Sequence, residues 1–205
     1  MVRTAIEDTD VTRTRTSLPP PWTVEEFLAW EREQEERHEY VGGVIRLMAG
    51  GTLDHNTITG NVASGLRAGR GGGPCRVFAL TVKVVSGFAT LYPDVVVTRA
   101  PGSGQSDVVP EPEIVVEVLA RSTQSFDRGA KLDAYQRIPS LKQYVLIAQD
   151  EIRVSVYERE DGGWRYRTLE DLDAGLEFPA ADATLALAEI YEGTTVLEAA
   201  RGRGG

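Results

Sequence analysis

Cysteine is almost absent. Cys75 stands alone among 205 residues, so neither an internal disulfide framework nor a Cys-based zinc cluster is available. Histidine is nearly as scarce, with only His38 and His55, and a zinc hydrolase would have to lean on carboxylates instead. No apolar run approaches the roughly 20 residues that a membrane-spanning helix needs. The opening stretch MVRTAIEDTDVTRTRTS carries acids and has no apolar core, unlike a secretory leader. A cytoplasmic protein with no membrane partner is the expectation. Positive charge is also in deficit: 22 Lys and Arg face 31 Asp and Glu, for a net charge of -9. This weighs against a nucleic-acid binder, whose phosphate contacts need clustered Lys and Arg. It does not exclude one, because carboxylates that hold metal ions count as negative in the sum yet are neutralised in the working protein.

What is present fits one α/β domain over residues 19–198, between an unstructured arm (1–18) and an unstructured tail (199–205). Pro19–Pro21 makes a stiff lead-in. Thr23 with Glu26 three residues later is a capping box, followed by the helical stripe Val24, Phe27, Leu28 and Glu31. Gly42-Gly43 between Tyr40-Val41 and Val44–Met48 predicts a hairpin or a bulged strand. Asp54 is placed to cap a second helix carrying Ile58, Val62, Ala63 and Leu66. Gly71–Pro74 reads as a loop. Strands are expected over Arg76–Val85, Thr90–Thr98, Glu113–Leu119 and Gln143–Ala148, the β-branched ones buried and central. A helix is expected over Asp127–Arg137, stopped by Pro139. Ile152–Tyr157 and Trp164–Leu169 form a hairpin about Asp161-Gly162-Gly163, and Ala181–Ala200 is partly helical.

The chemistry concentrates in a few acids and one lysine. Asp94 follows Pro93 at the entry to Val95-Val96-Val97, and Glu117 lies inside Val115-Val116-Glu117-Val118-Leu119. A carboxylate within a β-branched run is buried, and burying it ionised without a partner costs several kcal/mol or more. Glu117 therefore needs a cation, a strong set of hydrogen bonds or a raised pKa; a buried Arg or Lys pair would also serve. For Asp94, Pro-Asp is in addition a common turn opener. Together, two acids on neighbouring strands offer four oxygens to one hard cation such as Mg²⁺, an arrangement suited to phosphodiester hydrolysis. Asp127, Lys131 and Tyr135 share one helix face at steps of four. Lys131 is placed to reach back toward Glu117, where an ammonium orients a water or stabilises developing charge. Taken alone, Asp127 and Lys131 read rather as a surface ion pair worth at most about 0.5 kcal/mol. Glu39, beside an apolar run, is a further candidate.

Several segments in order carry a resemblance. They are Arg37-His38-Glu39-Tyr40-Val41-x-Gly43, His55-Asn56, Pro93-Asp94-Val95-Val96-Val97, Val115-Val116-Glu117-Val118-Leu119-x-x-Ser122-Thr123, Asp127-x-x-x-Lys131-x-x-x-Tyr135 and Tyr144-Val145-Leu146-Ile147. The series resembles the Uma-two family, bacterial proteins of restriction-endonuclease-like fold in the PD-(D/E)XK nuclease superfamily. The resemblance implies an α/β fold with a central mixed β-sheet flanked by helices, and an endonuclease acting on DNA with Mg²⁺ or Mn²⁺. It implies Asp94 as bridging metal ligand, Glu117 as second ligand, the Val118 carbonyl as a further one, and Glu39 as the completing acid. Lys131 would replace the usual lysine two residues after the glutamate, where this chain has Leu119. The family's Ser-Pro-Ser after that strand is Ala120-Arg121-Ser122 here, which places Arg121 as a phosphate contact, with His55 and Tyr135 as further nucleic-acid contacts. A homodimer is expected, since duplex cleavage needs two sites and isologous pairing supplies them; Trp164 and Tyr166 of the hairpin are candidates for its interface. Two other readings stay open: an inactive dimeric interaction protein on the same fold, and a hydrolase of small phosphoesters. The second lacks a phosphate-cradling glycine motif, since Gly69–Gly73 follows a helix and not a strand.

Overall fold

The computed structural model describes residues 22–48, 50–69, 75–79, 81–119 and 126–202. In chain order these form α1 (Val24–Glu31), β1 (His38–Val41), β2 (Val44–Leu47), α2 (Leu53–Gly69), β3 (Arg76–Ala79) and β4 (Val84–Ser86). Then come β5 (Ala89–Leu91), β6 (Val95–Thr98) and β7 (Pro112–Leu119). A π-helical turn, Asp127–Lys131, runs into α3 (Leu132–Gln136), followed by β8 (Gln143–Ala148), β9 (Val154–Glu160) and β10 (Gly163–Leu169). The chain closes with β11 (Gly175–Phe178), β12 (Ala183–Ala186), α4 (Leu187–Ile190) and α5 (Thr195–Gly202). The expected N-terminal arm, the Pro19–Pro21 lead-in, the Gly71–Pro74 loop and Arg121 lie outside the described residues.

A mixed sheet in the order β10-β9-β8-β7-β6-β3 forms the centre, with β7 and β8 parallel and every other pair antiparallel. Alternation along β7 divides the core in two. Ile114, Val116 and Val118 face one way, against Ile58, Val62 and Leu66 of α2. Val115 and Leu119 face the other way, against Ala134 and Tyr135 of α3 and Leu141. Because side chains alternate with period two, Glu117 shares the Val115 and Leu119 side and is aimed at α3. Each fully buried aliphatic side chain contributes about 1.5–3 kcal/mol, so these two layers hold β7 rigidly on both faces. A second sheet, β2-β1-β5-β4, carries the acid-bearing strand β1. Gly42 (φ 54°) and Gly43 (φ 93°) make the left-handed two-residue turn between β1 and β2. Helix α2 packs closely on β12: a Cβ at Gly65 would collide with Leu185, and one at Gly69 would sit 2.6 Å from the Ala183 Cβ.

Several expectations are corrected. Arg76–Val85 is two strands in different sheets, and so is Thr90–Thr98, which breaks at Tyr92-Pro93-Asp94; proline has no N–H to give a ladder. The cap of α2 is Thr52, whose Oγ1 accepts from His55 N at 3.1 Å. Asp54 lies inside the first turn and accepts instead from Thr195 at the start of α5. The Asp127–Arg137 helix begins with a π turn. The Ala181–Ala200 segment is partly helical as expected, in α4 and α5, with β12 paired to β11 ahead of them. Helix α5 extends to Gly202, so residues 199–202 of the expected tail are helical.

Candidate active site

The antiparallel register of β6 and β7 pairs Val95 with Val116. Continued one step, it sets Asp94 opposite Glu117. The Val118 N–H donates to Asp94 Oδ2 at 2.7 Å, so the two strands lock Asp94 by the backbone of the residue after Glu117. Glu39, on β1, is brought to the same place by a different route: its Oε1 accepts from the Tyr92 N–H at 3.1 Å.

Lys131 joins these acids. Its Nζ lies 2.8 Å from Glu39 Oε1, 3.1 Å from Glu117 Oε1 and 3.3 Å from Asp127 Oδ1. Glu117 Oε1 also accepts from the Tyr135 hydroxyl at 2.8 Å. The face Asp127, Lys131 and Tyr135 is thus turned inward, and all three are buried. A solvent-exposed Asp127–Lys131 pair is excluded. Tyr135, expected as a nucleic-acid contact, is fully buried and serves Glu117 from within, because α3 packs that face on β7.

The electrostatics are unbalanced. Three buried carboxylates, Glu39, Glu117 and Asp127, share one ammonium. Asp127 Oδ1 takes charge from Lys131 but receives no hydrogen bond among the described residues. Burial pushes the Glu117 carboxyl well above the usual carboxylate range; Lys131 pulls it down, and the charges of Asp127, Asp94 and Glu39 push it up. Burial favours the neutral amine of Lys131, but Glu117, Glu39 and Asp127 together outweigh it and hold the ammonium charged. Burial also raises the Tyr135 hydroxyl, reinforced by Glu117, so it stays a donor.

This donor set fits a hard divalent cation. The oxygens are carboxylate oxygens, the site has excess negative charge, and one buried acid oxygen lacks a donor. Among the described residues no three His, Cys or acidic side chains already converge on one point. Mg²⁺ does not require that, since it commonly binds through one or two carboxylates and keeps several waters.

His55, expected as a nucleic-acid contact, holds Asp94 instead: its Nε2 lies 2.8 Å from Asp94 Oδ1, and both side chains are 14% exposed. Gly51 makes this possible, because a Cβ there would sit 2.7 Å from His55 Cδ2. A cleft of about 350 Å³ lined by Arg37, Met48, His55, Asn56, Tyr92 and Asp94 opens onto this pair. Sequence reasoning missed Tyr92 as the holder of Glu39, since a backbone N–H leaves no mark in residue type. It missed Gly51 and named Asp127 only as a helix-face residue; the step of four to Lys131 was the available signal.

With fold and geometry established, the comparisons are consistent. A crystal structure of a "putative nuclease belonging to DUF820" from Anabaena variabilis ATCC 29413 superposes with a TM-score of 0.70 at 22% identity, over 83% of this chain and 98% of that one. At that identity the match speaks for the fold. Two uncharacterized proteins of Synechocystis sp. (strain ATCC 27184 / PCC 6803 / Kazusa) are similar in sequence. One is 33% identical, covering 85% of this chain and 93% of its own length. The other is 30% identical, covering 76% and 92%. No helix among the described residues is long and apolar enough to cross a membrane. The Uma2 family model, described as "Putative restriction endonuclease", matches residues 24–188, and the chain belongs to that family.

Proposed function

We propose that this protein is a metal-dependent endonuclease that hydrolyses phosphodiester bonds in DNA. One observation carries the reading: three buried carboxylates share a single ammonium directly beside Asp94, an anionic excess that a divalent cation would neutralise. Asp94 and Glu117 would hold Mg²⁺ or Mn²⁺, with the Val118 carbonyl and Glu39 completing the set. When bound, the cation supplies Lewis acidity toward the phosphate and lowers the pKa of a coordinated water. The chain's own groups prepare for this. His55 and the Val118 N–H fix the two oxygens of Asp94. Tyr135 and Lys131 fix Glu117. Lys131 brings positive charge to where the phosphate's charge develops. The cleft above Asp94 gives the phosphodiester its approach.

The test is calorimetric titration of Mn²⁺ into the wild type and into the Asp94→Ala, Glu117→Ala double variant, with plasmid nicking by the same preparations. Binding and nicking by the wild type alone support the reading. Metal binding without nicking keeps the site and rejects DNA as substrate. Absence of metal binding makes the acids structural and favours the second reading, a dimeric interaction protein, to which the net charge of -9 already lends weight. For either reading we propose a homodimer, with β10 as the sheet edge bearing Tyr166, 53% exposed.

A further inference from the structure

The β2 strand carries a cation that the site does not use. Arg46 is the cross-strand partner of Glu39, yet it forms no ion pair with that carboxylate or with any other among the described residues. Glu39 is taken by Lys131 at 2.8 Å. The Arg46 guanidinium instead stacks on the Phe126 ring, its Cζ 4.2 Å from the centroid. Lys131 Nζ lies 5.9 Å from that same centroid. One ring therefore carries a buried ammonium and an exposed guanidinium, and Phe126 immediately precedes the π turn that delivers Asp127 and Lys131.

Of the other exposed arginines, Arg137 likewise lies over a ring, Phe88, without an ion pair among the described residues, whereas Arg201 is paired with Glu192. Arg165 is paired with Glu158 and Glu160, and Arg153 with Glu170. In an acidic chain, an exposed arginine kept free of carboxylates beside an anionic site is available to an anion from outside. Among the described residues the Arg46 guanidinium N–H groups make no hydrogen bond, which leaves them for the bidentate geometry that phosphate oxygens match. Holding the guanidinium on a ring also reduces the entropy lost on binding.

We propose that Arg46, pre-oriented by Phe126, contacts a backbone phosphate of the nucleic acid bound at the acidic site. Phosphates of one strand advance about 3.4 Å per step along a duplex, so the contacted phosphate lies within a few steps of the one at Lys131. The inference rests on the nuclease reading. It also separates Arg46 from a plain screening role toward Glu39, which would alter stability and leave DNA affinity unchanged.

The experiment measures binding of a short fluorescent duplex to the full chain by anisotropy across a salt series, with Ca²⁺ as the hard cation. The proteins are wild type, Arg46→Ala, Arg46→Lys and Phe126→Leu. Arg46→Ala should weaken binding about tenfold, equally for unrelated sequences, and make the log K against log salt slope shallower by about one. Arg46→Lys should restore the slope but only part of the affinity. Phe126→Leu should weaken binding with the slope retained. Metal affinity of Arg46→Ala should match wild type. If the wild type binds the duplex and Arg46→Ala binds it with the same affinity and slope, the Arg46 role is overturned and the nuclease reading survives. If the wild type binds no duplex, both fall.

Discussion

Replacing Lys131 with Met tests the charge imbalance without assuming a metal. Methionine keeps an unbranched stem of similar reach and removes the ammonium that lies 2.8, 3.1 and 3.3 Å from Glu39, Glu117 and Asp127. Lys131 is 5% exposed, so water cannot replace it easily. Breaking a buried ion pair by deleting one partner typically costs about 3–5 kcal/mol. For a chain of this size each kcal/mol moves Tm by about 2–4 °C, so the variant should melt about 6–20 °C lower near neutral pH. The pH dependence sharpens the test. Without the ammonium the Glu117 carboxyl, already raised by burial and its acidic neighbours, loses the charge that pulls it down and is raised further. A raised carboxyl contributes stability that is fully present below the unfolded value and is lost as pH climbs through the folded one. The Tm deficit of the variant should therefore widen as pH rises from the ordinary carboxylate range to neutrality and above. Differential scanning calorimetry across that range reads it directly. A variant that melts with the wild type at every pH would refute the reasoning, because it would mean that the three acids do not depend on Lys131.

Glu117→Gln mimics the protonated carboxyl that burial and its acidic neighbours favour. Metal-free wild type should lose stability as pH rises through that raised pKa, whereas the Gln variant should show a flatter Tm profile; calorimetry in two buffers of different ionisation enthalpy should also detect proton release when Mn²⁺ binds wild type, and a titration without proton release contradicts the assignment. Gly51→Ala should push the His55 ring away from its 2.7 Å contact and break the bond to Asp94. Thr52 still caps α2, so Tm should change by about 1 kcal/mol equivalent or less, while the His55 ring signals in an NMR spectrum shift; unchanged signals would show that the glycine is not needed there.

Much of this architecture was legible because local rules agree with one another. Thr23 and Glu26 form the full capping box, with Glu26 N to Thr23 Oγ1 at 3.2 Å and Thr23 N to Glu26 Oε2 at 2.7 Å. Gly42-Gly43 makes the hairpin turn, and the β-branched run around Glu117 is the central strand. The strand assignments failed where a chain leaves one sheet for another, because period and propensity are the same on both sides of Tyr92-Pro93-Asp94. The π turn at Asp127 was not visible either. Its residues suit an α-helix equally, and packing of the Asp127, Lys131 and Tyr135 face on β7 decides the winding. The same packing explains Tyr135. A helix-face tyrosine reads as a surface contact until the layer that covers it is known. His55 reads as a nucleic-acid contact because its partner, Asp94, lies 39 positions away and nothing local marks the pair.

A second buried cluster shows why the imbalance at Lys131 is informative. Lys83 lies 3.0 Å from Glu31 and 2.9 Å from Asp107, whose side chain is 64% exposed. Glu31 also accepts from the Tyr92 hydroxyl and, at 3.4 Å, from the His38 N–H. Here one ammonium answers one buried acid, and the remaining acid is solvated. Glu31 Oε2, like Asp127 Oδ1, receives no hydrogen bond among the described residues, but here the charge is balanced, as expected when buried charge has only to be paired. The two clusters are joined through Tyr92, which gives its hydroxyl to Glu31 and its N–H to Glu39. They therefore share a scaffold, burial and a neighbour, and differ in charge balance. At Lys131 three buried acids compete for one cation, with Asp94 alongside. A fold able to neutralise one cluster almost completely is under no structural compulsion to leave the other anionic. Local conflicts of this kind concentrate at functional sites, and this one is relieved either by a proton held on Glu117, as its raised pKa favours, or by a further cation.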